Sequence, residues 1–91
     1  MIERSSRTVL VTNQHGLHAR PCLEIVKTVA RYQANVTVRK GSQSVDAASI
    51  LDLLSLAAAP GTELVLSAAG AEAEEALQAV AGLCSDAFET G

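Results

Sequence analysis

Along this chain the spacing of apolar side chains switches between two and three-to-four residues, and polar or glycine-bearing stretches separate the segments. A chain patterned in this way has to alternate strands with helices. Residues 8–12, Thr-Val-Leu-Val-Thr, are rich in β-branched side chains and are stopped by the polar run Asn13-Gln14-His15-Gly16, which predicts a strand and then a loop. Over residues 19–31, Cys22, Leu23, Ile25, Val26, Val29 and Ala30 recur at helical intervals and cover one broad face, predicting the first helix. Val36 and Val38 then alternate with Asn35, Thr37 and Arg39. Lys40-Gly41-Ser42 supplies a turn, and Val45 between Ser44 and Asp46 makes a short return, so this stretch reads as a hairpin.

Ser49 stands three residues before Asp52, ahead of more leucines, which is the start signal of a capping box. The helix it opens is predicted to run to about Ala58, because Pro60-Gly61 cannot continue it. Leu64-Val65-Leu66 forms the next strand and Gly70 closes it. Ala76, Leu77, Val80, Leu83, Cys84 and Phe88 keep helical spacing, and Glu72, Glu74 and Glu75 load the start of that last helix favourably for its dipole. The order is β-α-β-β-α-β-α. Four short strands with one apolar face each, and helices that each need one face covered, predict an α+β fold. Its four-stranded antiparallel sheet should carry three helices packed on one face.

The 91 residues, 48% of them hydrophobic, suffice for one compact unit, so residues 1–91 are expected to form a single domain. A net charge of -3 and only two aromatic side chains leave neither a basic surface nor a stacking platform, and no nucleic-acid partner is expected. Residues 1–7 are polar and charged, unlike a secretory leader, and no apolar run approaches the roughly 20 residues of a membrane span. Cys22 and Cys84 fall on apolar helical faces and are expected to be buried thiols of a cytoplasmic protein.

The stretch His15-Gly16-Leu17-His18-Ala19-Arg20-Pro21 lies between the first strand and the first helix. Gly16 permits a turn that other residues resist, and a proline in the first helical turn removes no needed donor. His18 is therefore placed at or just before a helix N-terminus. There, unpaired N–H groups and the macrodipole make an anion site. Arg20 adds a fixed positive charge for phosphate oxygens, and a neutral imidazole nitrogen is a nucleophile able to split one phosphoryl exchange into two steps. Three other readings compete for these residues: His18 as a plain surface cap or satisfied polar residue, a metal site formed by His15, His18 and Cys22, and a Cys22–His18 hydrolase.

The run HGLHARP ahead of an amphipathic helix resembles the active-site signature of the HPr family of histidine-containing phosphocarriers, and SILDLLSL, residues 49–56, resembles that family's second signature. Gly41, Gly61 and Gly70 also fall where the family places its turns, so the likeness covers nearly the whole chain. The resemblance implies an open-faced β-sandwich and a phosphocarrier of the phosphoenolpyruvate-dependent sugar phosphotransferase system. In it, enzyme I would phosphorylate His18 on Nδ1, and His18 would pass the group to sugar-specific IIA proteins. Arg20 matches the family's phosphate-pairing arginine, and the backbone N–H groups of Ala19 and Arg20 would receive phosphate oxygens. No cofactor is implied, the chain is expected to be a carrier rather than an enzyme, and a monomer is expected.

The resemblance further implies regulatory phosphorylation of Ser49 by an HPr kinase/phosphorylase. The chain departs from the family pattern next to that serine, with Leu51 and Asp52 where methionine and glycine are common. Asp52 is placed to accept the Ser49 N–H in the capping box and would repel an added phosphate. Ser49 can thus be read as a regulatory site or as a plain N-cap. Ile50, Leu51, Leu53, Leu54 and Leu56 make the short helix apolar almost all round, more than one buried face requires. Ile50, Leu51 and Leu54 are the residues assigned to a docking platform for enzyme I and IIA proteins. An HPr-like phosphorelay of the nitrogen branch, or a regulatory interaction protein, would look nearly the same in sequence.

Overall fold

The computed structural model describes residues 4–12 and 15–85. Seven elements succeed one another: β1 (Arg4–Leu10), α1 (Ala19–Val29), β2 (Asn35–Lys40), β3 (Gln43–Asp46), α2 (Ile50–Ser55), β4 (Glu63–Ala69) and α3 (Ala73–Ser85). The strands form one antiparallel sheet in the order β1-β4-β2-β3. This is the predicted α+β architecture, an open sheet with three helices.

Register puts the apolar positions of neighbouring strands on one face. Val9 lies opposite Leu64, Val38 opposite Leu66, and Val36 opposite Ala68, and all six are buried. Ile25 and Val29 of α1, Leu53 of α2, and Leu77 and Val80 of α3 complete the core above that face. Ile25, Leu53, Leu64, Leu66 and Leu77 are almost wholly removed from water, each contributing about 2 kcal/mol of hydrophobic stabilisation. The alternate residues Ser6, Ser67 and Thr37 share a row on the opposite face, where Ser6 and Ser67 are exposed.

Three boundaries differ from the sequence reading. β1 begins at Arg4, not at residue 8, because β4 pairs with it from Ala69↔Arg4 to Glu63↔Leu10. The polar Arg4-Ser5-Ser6-Arg7 run shows no apolar alternation, yet an edge strand needs only backbone partners there. α1 ends at Val29 rather than 31, with the Arg31 and Tyr32 N–H groups donating to the Thr28 and Val29 carbonyls in a tightened final turn. α2 ends at Ser55, short of the expected Ala58, because Ala57 turns into the left-handed region at φ 49°. Leu23, assigned to the buried face of α1, is instead 45% exposed, and Ala30 is exposed too. The apolar stripe is wider than the neighbours α2 and α3 can cover. Phe88, assigned to the last helix, lies outside the described residues, as do Asn13 and Gln14 of the first loop.

The loops that lead into β2 and α3 are distant in sequence but joined by two hydrogen bonds. The Glu72 N–H donates to the Gln33 carbonyl at 3.0 Å, and the Gln33 N–H donates to Glu72 Oε1 at 2.8 Å. Gly70, at φ 138°, presses against this junction, where a Cβ would lie 2.6 Å from the Gln33 oxygen. No side chain fits in that space.

Candidate functional site

His18 is the N-cap of α1, with extended backbone angles (φ -91°, ψ -167°), and its side chain makes no capping hydrogen bond. Its carbonyl accepts the Cys22 N–H at 3.1 Å, the first bond of the helix, and its own N–H donates to the Gly16 carbonyl at 3.1 Å. The ring is therefore carried by a fixed backbone while its nitrogens stay out of the cap. Ala19 and Arg20 occupy the first turn, and both are exposed. At this end the helix supplies no acceptor for their N–H groups, and Pro21 has none to satisfy. The first turn contains no acidic side chain. The positive end of the α1 dipole therefore favours negative charge beside His18.

The loop before His18 rests on the segment that comes after α2. The Leu17 N–H donates to the Ala58 carbonyl at 2.8 Å. Gly16, at φ 70°, lies so close that a Cβ there would sit 2.3 Å from the Ala58 oxygen and 3.0 Å from the Ala59 Cα. The sequence showed Gly16 as a turn residue. Its close approach to Ala58 had no local signal, since the two positions are brought together only by the fold.

His15 lies edge-on to His18, with ring centroids 5.8 Å apart, and is exposed. Cys22 is fully buried, and its Sγ–H is directed to the Leu17 carbonyl at 3.5 Å. Burial pushes the Cys22 thiol up to about 11, which disfavours the thiolate that a hydrolase would need. Among the described residues no three His, Cys, Asp or Glu side chains gather in a way that would hold a metal ion. Cys84 is likewise buried, with its thiol raised to about 12 by desolvation and then by the nearby Cys22. Both cysteines are free thiols.

Ser49 caps α2, its hydroxyl accepting the Asp52 N–H at 3.3 Å. The reciprocal half of the expected capping box does not form. The Ser49 N–H donates instead to the Asp46 carbonyl at 3.1 Å, because the preceding turn, closed by the Ala48 N–H on Asp46 Oδ1, already places an acceptor there. Aspartate is also one methylene shorter than the glutamate that usually reaches back. The apolar residues of α2 and its C-cap separate: Leu53 and the C-cap Leu56 are buried, Leu51 is 76% exposed, and Ile50 and Leu54 are half-buried against the core.

An open four-stranded sheet under three helices, with an exposed histidine at the N-cap of the first helix and an arginine in its first turn, defines a class of small α+β domains that carry one imidazole at a helix N-terminus. The chain matches the family described as "PTS HPr component phosphorylation site" over residues 5–86. The phosphocarrier protein HPr of Xylella fastidiosa (strain 9a5c) is 35% identical over 80 residues, 88% of this chain and 90% of that protein. The phosphocarrier protein NPr of Escherichia coli (strain K12) is 35% identical over 85 residues, 91% of this chain and 93% of its own length. The crystal structure of a phosphocarrier protein HPr from Bacillus anthracis str. Ames superposes with a TM-score of 0.85 at 33% identity, covering 89% of this chain and 96% of that one. The chain belongs to the HPr family of phosphocarrier proteins.

Proposed function

We propose that this protein carries a phosphoryl group on His18 between enzyme I and IIA proteins of the sugar phosphotransferase system, with residues 1–91 acting as one HPr-like unit in the cytoplasm, as a monomer and without a cofactor. His18 Nδ1 attacks the phosphorus held by phospho-enzyme I, forming a P–N bond as the donor's own bond to phosphorus breaks. In the second step a IIA nucleophile attacks the same phosphorus and His18 Nδ1 leaves. The Ala19 and Arg20 N–H groups and the Arg20 side chain receive the phosphoryl oxygens. The observation that carries this reading is the exposed imidazole of a helix N-cap whose ring takes no part in the cap.

Incubation with enzyme I and phosphoenolpyruvate tests it. Intact mass should show one added, acid-labile phosphate, absent from His18→Ala and mapping to the peptide that carries His18. Phosphate on His15, or equal labelling of His18→Ala, refutes the assignment.

The exposed Leu51, with the half-buried Ile50 and Leu54, serves as the docking surface for both partners. Ser49 is the position an HPr kinase/phosphorylase would modify, and incubation with such a kinase and ATP, read by mass at Ser49, tests that. A second reading, service in the nitrogen branch, rests on identity to the E. coli NPr that equals identity to the Xylella HPr. Transfer rates from enzyme I of each branch, measured side by side, distinguish the two.

A further inference from the structure

The six-residue helix α2 ends without a basic residue in its last turn, and the helix itself supplies no donors for its terminal carbonyls. The charge that its C-terminus calls for comes from elsewhere in the sequence. Lys40, the last residue of β2, places its ammonium 2.7 Å from the Leu56 carbonyl, a charge-assisted hydrogen bond at the negative end of the helix dipole. A second contact joins the same hairpin to the same helix end: Gln43 Nε2 donates to Ser55 Oγ at 3.4 Å. The β2–β3 hairpin therefore grips the end of α2 from outside.

The segment just after Leu56 gives this grip its importance. Ala57 adopts φ 49°, a conformation that a residue with a Cβ takes only when its surroundings hold it. Ala58 comes next, and its carbonyl accepts the Leu17 N–H at 2.8 Å while lying hard against Gly16. Gly16 in turn accepts the His18 N–H. A continuous series of contacts thus runs from the Lys40 ammonium through Leu56, Ala58 and the Gly16–Leu17 peptide to the backbone that carries the His18 ring.

We infer that Lys40 is a positioning residue for phosphoryl transfer: by holding the Leu56 carbonyl it keeps the strained Ala57 turn in place, and through Ala58 it fixes the loop that presents His18. Lys40 does not meet the phosphate. Its action is to keep the imidazole over the helix-end donors, so its loss lowers the rate of the transfer step and leaves partner binding alone. The inference rests on the phosphocarrier reading of His18 for its functional consequence, but its structural half can be measured without any transfer.

The experiment compares the parent with Lys40→Met, which keeps the length of the side chain and loses its charge, and with Lys40→Arg, which keeps a cation. Amide hydrogen exchange by NMR reports the Leu17 N–H against the Val38 N–H of the central sheet. In Lys40→Met the Leu17 amide should exchange at least tenfold faster, Val38 should change less than threefold, and Lys40→Arg should return Leu17 toward the parent. In transfer from phospho-enzyme I, kcat should fall at least threefold with KM within twofold. If Leu17 and Val38 accelerate together, the effect is global destabilisation and the inference is overturned. It is overturned equally if Leu17 exchange is unchanged, or if KM rises while kcat holds. A parent protein that enzyme I does not phosphorylate would refute the phosphocarrier reading instead, with the exchange result still deciding whether Lys40 holds the loop.

Discussion

His18 caps α1 through its backbone alone, so a change at a neighbouring side chain can alter the chemistry without unfolding the helix. Arg20 tests this separation. It is exposed in the first turn, and Arg20→Ala should leave thermal stability within about 0.5 kcal/mol. Transfer from phospho-enzyme I should slow about tenfold to a hundredfold, the loss expected for one charge-assisted contact to phosphate; equal rates at matched enzyme I would remove Arg20 from the mechanism. Ala57 behaves in the opposite way. Its left-handed φ costs about 1–2 kcal/mol in a residue with a Cβ, partly offset because glycine gains more freedom when unfolded. Ala57→Gly should therefore stabilise the protein by about 0.5–1 kcal/mol, measured as an upward shift in Tm.

Helix α2 shows how one element divides its apolar residues between core and surface. Five apolar positions in the helix and at its C-cap looked alike in sequence, and burial then assigned Leu53 and the C-cap Leu56 to the core and left Leu51 76% exposed. Leu51→Glu should accordingly change stability by less than about 0.5 kcal/mol, and the docking proposed for this face predicts a higher apparent KM for enzyme I, because the new charge would oppose that contact. Leu53→Glu should cost several kcal/mol, enough to endanger a fold whose total stability is about 5–15 kcal/mol. Thermal unfolding and transfer kinetics on the same pair of variants check both. An unchanged KM for Leu51→Glu would mean that enzyme I docks elsewhere. Leu54, half-buried against the core, should fall between the two, so it reports docking less cleanly than Leu51.

The whole molecule carries two buried thiols, and these give it a pH dependence on the alkaline side. Cys22 is held protonated up to about 11 and Cys84 up to about 12, in both cases first by burial. In the unfolded chain both thiols ionise near an ordinary value of 9.0. Above that pH the unfolded state has released protons that the folded state retains, so unfolding is favoured as pH rises. Each thiol contributes a slope of about 1.4 kcal/mol per pH unit, ending where the folded thiol itself ionises. Urea unfolding at steps between pH 8 and 11 should show stability falling through this window, about half as steeply in Cys84→Ala. Equal slopes in the parent and the Cys22→Ala, Cys84→Ala double variant would show that other groups govern the alkaline limit.

The sequence by itself determined whatever depends on neighbours along the chain. Apolar spacing identified every strand and helix that the structure describes, because period is a property of a few consecutive residues. Gly16 and Pro21 around His18 marked a turn and a helix start through their own backbone preferences, and the serine of Ser49-x-x-Asp52 proved to be the cap it resembled. The strand order β1-β4-β2-β3, the polar first half of β1, and the sorting of the α2 leucines lay beyond that range. Each is settled by which backbone or side chain arrives from a distant segment, and local pattern holds no record of that. The same is true of the floor under His18. Nothing near Lys40 in the chain shows that it will reach Leu56, and nothing near Gly16 shows that Ala58 will lie against it. Those contacts exist because long-range strand pairing and burial of the shared core bring together residues separated by 16 and by more than forty positions.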